Sequence, residues 1–516
     1  MPEIKHTFTV GRMNKDLDER LLPNGEYRDA MNIEVSGSDG SNVGSVQNIR
    51  GNRQLKNVGI TGGKCIGSIA DTENEKIYWF VCGTSVDAII EYDQVSDDIA
   101  FVCVDKNNVL NFDKNKLITG INLIDGLLFF TDDNSEPKVI NIERFKGDGT
   151  TYGSINNNTH TTLLDANELA SDAYAFTEAD VTVIKKGPTL PPTITMANTK
   201  RTTTSGTAGI IETSVTGNFY DSSDNEPMEI GEQVTLTVTG VLPTLLNGDI
   251  VILNNGDDPD INGFDPDYTI RCEVTNYVPG STSITVIINS IPEIVPQTTA
   301  TWNLELEQED PMFENKFIRF AYRYKYRDGE YSTIGPFTQV AFLAKDFEYN
   351  PKKGYNLGMS NDLRYLKISD FKPTDIPKGV KEIDVLYKDD SNNNIYTVKS
   401  FKPEDPEYAA NAFEIESEII YKTIPSNQLL RPFDSVPLKA KSQELVANRI
   451  IYGNYVHNFD MLDSNGREIS PKFEVNVSDR TGFTPAVLYK SPGKSIKSQR
   501  TYQLGVVYRD EYGRET

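Results

Sequence analysis

The sequence predicts an all-β, multidomain protein: a partial or complete β-propeller with an inserted small β-barrel or sandwich and a fibronectin-like domain. Three observations lead there. Strand-forming aromatics are abundant, with 25 Tyr and 23 Phe against 8 Met, and such rings suit a pleated, half-buried surface. Turn formers recur, with 37 Gly and 26 Pro, and they divide the chain into many short segments. Within those segments apolar residues alternate with polar ones, the period of a strand with one wet face. A chain of 516 residues has ample material for several cores, on a prior of roughly 150 residues per domain.

Residues 1–52 read as an assembly segment. Gly11 to Asn32 (G-R-M-N-K-D-L-D-E-R-L-L-P-N-G-E-Y-R-D-A-M-N) mixes charges of both signs, a Pro23-Asn24-Gly25 turn and few apolar anchors, and so needs another surface to lie against. Arg12, Met13, Asp16, Leu17, Arg20, Leu21, Tyr27 and Arg28 are its candidate interface residues, with Leu22 and Met31 as further anchors. The same pattern could instead wrap the chain's own propeller.

Residues 53–187 contain a repeat. Ile66 to Asp71, Lys76 to Val81 and Ala88 to Asp93 are echoed about 50 residues on by Ile118 to Leu123, Leu127 to Asp132 and Lys138 to Glu143, a spacing within the range of roughly 40–50 residues for propeller blades. An ordinary β-meander is the simpler reading. A short helix is expected within residues 163–170, and residues 185–192 (K-K-G-P-T-L-P-P) read as a stiff linker. Residues 188–312 form the inserted small β-domain, with alternating runs at 232–240, 248–253, 268–274 and 283–288. Residues 313–432 form the fibronectin-like sandwich, in which the tyrosines of F-A-Y-R-Y-K-Y-R (320–327) face the core and the basic residues face water, and 380–388 pairs with 395–399. Residues 433–516 resume the propeller or form another β-domain. The closing Y-R-D-E-Y-G-R (508–514) echoes Y-R-D-G-E-Y (326–331), and the chain is expected to continue past Thr516, because a hairpin without its return strand leaves an open edge.

Catalytic signatures are weak. The histidines are His6, His160 and His457, and none lies in a nucleophile motif. Gly493-Lys494-Ser495 resembles the end of a phosphate loop, but Leu488 stands where that loop needs glycine. Asp258, Asp260 and Asn262 begin a D-x-D-x-N-G calcium loop, with Thr269 where a bidentate Glu belongs. An acidic surface loop is the main reading there and a structural calcium the alternative; no other cofactor is expected. Cys65, Cys82, Cys103 and Cys272 lie in strand-like runs without a C-x-x-C pair and read as buried free thiols of a reducing compartment. The formal charge is −24, from 75 Asp and Glu against 51 Lys and Arg, which excludes a surface that generally grips nucleic-acid phosphates. No signal-peptide core and no apolar run of about 18 residues is seen, so a soluble chain without a membrane segment is expected.

The N-terminal pattern quoted above, continued by S-D-G-S-N-V-G-S-V-Q-N-I-R-G-N (38–52), resembles the muzzle, or stabilization, proteins of short-tailed, crAss-like bacteriophages. Q-E-L-V-A-N-R-I-I-Y-G-N-Y (443–455) and R-T-Y-Q-L-G-V-V-Y-R-D-E-Y-G-R (500–514) are similar to the same family; residues 190–310 carry none of the likeness. The resemblance implies a non-enzymatic virion tail nozzle, made in the host cytoplasm and assembled as a homo-oligomer with six-fold symmetry. Its implied partners are hub, ring or portal-proximal proteins and fibres, and DNA passes through its channel without sequence-specific binding. A carbohydrate-binding or depolymerising tail propeller is the rival. It would use Trp79 and exposed aromatics with paired carboxylates in one cleft.

Overall fold

Alternating apolar residues can be buried only if strands find partners, and the partners here are both local and distant. The computed structural model describes residues 10–35, 46–49, 51, 54–202, 208–255, 269–344, 349–350, 355–356, 360–418, 422–429, 436–447, 449–457, 459–470, 472–476 and 500–515. Asp258, Asp260 and Asn262 lie outside the described residues, as does Gly493-Lys494-Ser495. The chain divides into two units, Met1–Gly59 with Val95–Ile99, and Ile60–Gln94 with Ala100–Thr516. In the first, β1 (Ile33–Val35) pairs antiparallel with β2 (Val46–Asn48), Ile33 opposite Asn48.

The second unit begins with the repeat. Strands β3 (Lys64–Asp71), β4 (Lys76–Cys82), β5 (Asp87–Asp93) and β6 (Asp98–Asp105) form one four-stranded sheet in chain order. Strands β7 (Gly120–Ile124), β8 (Leu127–Thr131) and β9 (Lys138–Asn141) form a second of three. The β7–β8 turn holds Asp125 at φ 47° and Gly126 at φ 76°, the left-handed pair that a two-residue hairpin turn of the right twist requires. The sheets share one core, in which Phe80 meets Phe130 edge-on at 4.9 Å. The two copies thus give a pair of facing sheets; a closed propeller is not among the described sheets.

The repeat is imperfect at its ends. The second copy's third strand stops at Asn141, whose side chain accepts the Arg144 N–H and caps helix α1 (Ile142–Lys146). The helix expected within residues 163–170 is absent. Leu163 lies fully buried in β10 (Thr162–Leu163), paired with β11 (Tyr174–Ala175), and the Asp165 carboxylate takes the Asn167 N–H at 2.9 Å, a local bond that competes with helix. Helix forms instead at α2 (Glu178–Val181), where Thr177 and Asp180 make a reciprocal capping box. The expected linker is packed: Lys185, Gly187 and Pro188 are buried, and Gly187 N–H donates to the Glu511 carbonyl at 3.2 Å.

The chain then enters β12 (Thr193–Ala197) and a closed barrel. Its strands are β13 (Glu212–Gly217), β16 (Gln233–Val238), β17 (Ile250–Asn254), β18 (Ile270–Asn276), β19 (Ser283–Ser290) and β20 (Ala300–Leu306), with a short hairpin, β14 (Tyr220–Asp221) and β15 (Glu226–Pro227), on the way. The order is β13-β16-β19-β18-β17-β20, and β20 closes on β13 with Val215 opposite Trp302. Closure leaves no edge. Val215, Leu236, Val251, Cys272, Val286 and Trp302 fill the interior.

After the barrel come β21 (Ile318–Tyr326), β22 (Tyr349–Asn350), β23 (Tyr355–Asn356), β24 (Tyr365–Ser369), β25 (Val380–Asp389), β26 (Ile395–Phe401), α3 (Pro406–Ala410), β27 (Ala412–Glu414), β28 (Lys422–Thr423) and α4 (Ser426–Leu429). Two sheets, β21-β25-β26-β28 and β12-β24-β27, share a core and make the sandwich. Because β12 precedes the barrel in sequence, the barrel is an insertion into the sandwich. Tyr322, Tyr324 and Tyr326 are buried as the alternation predicts. The basic face is only partly wet: Lys325 is half-buried, and Arg323 is buried, pairs with Asp384 at 3.0 Å, lies over the Tyr331 ring at 3.9 Å, and donates to Gln428 at 2.9 Å. A cation on a strand face can be buried when a carboxylate on the neighbouring strand and a polar cap both reach it.

Last, β29 (Lys439–Val446) and β30 (Arg449–Val456) form a hairpin, and β29 lies against the second sheet. Asp133 N–H donates to the Ala440 carbonyl at 3.0 Å and Thr131 Oγ1 to the same oxygen at 2.7 Å. Gly120 permits this approach, since a β-carbon there would sit 2.5 Å from the Gln443 nitrogen.

Candidate assembly interface

The N-terminal segment folds on itself through its backbone. Asn14 N–H donates to the Tyr27 carbonyl at 2.8 Å, Tyr27 N–H to the Arg12 carbonyl at 3.1 Å, and Val10 N–H to the Gly25 carbonyl at 3.2 Å. The Pro23-Asn24-Gly25 turn closes with Glu26 N–H on the Pro23 carbonyl, and Gly25 takes φ 101°. Asp18 then caps a short 3-10 turn, Glu19–Leu21, by accepting the Arg20 N–H at 3.0 Å.

Its side chains stay largely outside. Met13, Leu17, Leu21 and Met31 are exposed, Leu21 at 69% and Met31 at 81%. Leu22 and Tyr27 are half-buried, and Arg12, Asp16, Arg20 and Arg28 are exposed. Arg12 lies 3.8 Å from Glu26 and Arg20 3.4 Å from Asp18, pairs that exposure to water weakens. The backbone ladder therefore brings Arg12, Met13 and Tyr27 together, while the 3-10 turn carries Arg20 and Leu21 outward.

Sequence reasoning missed a second feature. The echoing turns at 326–331 and 508–515 both end on residues 185–187: Lys185 lies 3.3 Å from Glu330, and Lys186 3.5 Å from Glu511. Arg144 Nη1 donates to Asp328 at 2.9 Å. Arg514 is buried, donates to Glu136 and Asp510 at 2.6 Å each, and lies over the rings of Phe459 and Tyr512. Burial raises the carboxyls of Glu136 and Glu330, and the facing Arg514 and Lys185 pull them part of the way back. The repeated Y-R-D motif was the available signal, but its docking partners lie hundreds of residues away.

The His160 and cysteine side chains have structural surroundings. His160 stacks on Phe176 at 4.5 Å and accepts the Lys106 N–H at 3.1 Å. Cys82, Cys103 and Cys272 are buried as expected. Cys65 is exposed, contrary to expectation, at the register shift that turns β3 beside Gly67. Among the described residues no cluster of three His, Cys, Asp or Glu is placed to hold a metal ion, and no helix is long and apolar enough to cross a membrane.

The fold and this surface define an all-β, multi-sheet chain with an exposed, mixed-charge N-terminal segment. Residues 4–187 match the family model of the crassvirus muzzle protein, and this match supports a crAss-like phage muzzle protein with a structural role in the tail. The matched stretch takes in the N-terminal segment and both facing sheets, ending at the buried Gly187. No curated protein matches the chain.

Proposed function

We propose that this chain is an oligomeric nozzle at the distal end of a phage tail, docking on hub or ring proteins through residues 11–32 and forming the conduit for genome ejection. The observation that carries this reading is the muzzle-family match over residues 4–187. Physical chemistry supports it. A conduit needs rigid walls that DNA does not stick to, and a chain of formal charge −24 built from hydrogen-bonded sheets repels phosphates while they slide past. Its partners on this reading are further copies of itself, adjoining tail proteins and fibres, and DNA is cargo.

The carbohydrate-engaging alternative would call on Trp79 and not on Trp302. Trp302 is buried in the barrel against Phe219 and donates to the Gly217 carbonyl, and half-buried Trp79 stacks on Tyr92 at 5.9 Å. Deleting residues 11–32 tests the nozzle reading. The truncated chain is expected to keep its circular dichroism spectrum and to be lost from tails. Normal incorporation of the truncated chain, or its unfolding, overturns the role given to the segment.

A further inference from the structure

Charge is unevenly spread along this chain. Residues 60–187 carry ten Lys and Arg against 21 Asp and Glu, and residues 188–312 three against 18; residues 1–59 carry eight against eight, and residues 433–516 twelve against ten. Residues 313–432 are balanced, with 18 of each, so two copies meeting through residues 60–312 would oppose like charge, whereas their ends can meet without that cost.

Both ends are also apolar and uncovered. Leu504, Val506 and Val507 are at least half exposed, and among the described residues the backbone of 504–508 makes no hydrogen bond. Across from this stretch, Ile469 N–H closes a turn on the Met461 carbonyl at 2.8 Å. Between them runs an open groove of about 400 Å³ of mixed lining, with Met461, Ile469, Phe473, Val506 and Tyr508 beside Asp460, Glu468 and Ser470. Glu468 is exposed and, among the described residues, takes part in no ion pair. An open groove that combines apolar side chains with carboxylates, beside backbone without partners, marks an interaction surface.

We infer that this groove receives the N-terminal segment of a second copy, with Leu21 meeting its apolar side chains and Arg20 reaching Glu468. Leu21 is 69% exposed and the Arg20 side chain 91% exposed. They are adjacent on the capped 3-10 turn and supply an apolar knob and a cation, the complement of the groove's apolar and acidic lining. The contact joins unlike surfaces, so it runs head to tail and generates a ring when its rotation closes. This inference rests on the assembly reading of residues 11–32 and names their receptor.

Charge reversal with rescue tests it by mass photometry of the full chain, each variant's fold being checked by circular dichroism. Arg20→Glu and Glu468→Arg are each expected to weaken self-association about tenfold, the scale of one well-placed contact, and the double variant to recover it. Val506→Glu is expected to abolish association with the fold intact. A wild-type chain that stays monomeric, folded single variants that associate normally, or weakened singles without rescue each overturn the groove. Deletion of residues 11–32 separates the two ideas: tails that lack the truncated chain while Val506→Glu is incorporated normally keep the assembly segment and eliminate this receptor.

Discussion

The inserted barrel and the C-terminal stretch obey opposite rules although both are built from alternating β-formers. In the barrel six strands close, every core side chain is covered, and the described carboxylates are mostly exposed, with Asp249 buried. In residues 449–508 the same residue types point outward, with Ile451, Tyr455, Phe473, Leu504 and Val507 each at least half exposed. The difference teaches that alternation specifies a strand but not its partner. Closure makes the barrel self-sufficient, and an unfilled groove makes the C-terminal stretch a surface for something else.

The sharpest way to break this contrast is to remove a barrel anchor. Trp302→Ala is expected to cost about 3–5 kcal/mol, the usual price of emptying a large aromatic site, whereas Leu504→Ser in the monomer should shift stability by no more than about 0.5 kcal/mol. Both are read from urea titrations of the full chain. Similar losses at the two positions would mean that the C-terminal stretch has a core of its own.

A smaller effect follows from pH. Burial pushes the Cys272 thiol in the barrel from its ordinary 9.0 to about 12 and, with Asp87 beside it, the Cys82 thiol to about 11. The fold holds these protons more tightly than the unfolded chain does. Their contribution is therefore complete below pH 9 and is lost as pH climbs from about 9 through 11 to 12. Alkaline titration of Cys272→Ala should show a shallower decline than wild type; an unchanged curve would remove this thiol from the account.

Much of the fold was legible. Four of the six barrel strands and the pairing of β25 with β26 follow from period-two runs and the turns between them, while β13 and β20, whose pairing closes the barrel, were not read. What was not legible depends on contacts far apart in sequence. Residues 193–197 look like part of the barrel domain, yet β12 joins β24 across the whole insertion because the sandwich needs a third strand there. Arg323 reads as solvent-facing until Asp384 on the adjacent strand and Gln428 above it come into place. Cys65 reads as buried until a bulge turns it out. At the assembly surface, the residue types of 11–32 were readable as anchors and charges, while their arrangement on a ladder and a capped turn was not, since it hangs on backbone bonds such as Asn14 to Tyr27.

The most direct measurement of the central claim is electron cryo-microscopy of virions carrying this protein, with the acidic barrel insertion as a marker for the chain. Density for several copies ringing a channel at the distal end of the tail is the predicted result. Virions in which the chain is absent from the tail, or is present there only as isolated copies away from the channel, would contradict it.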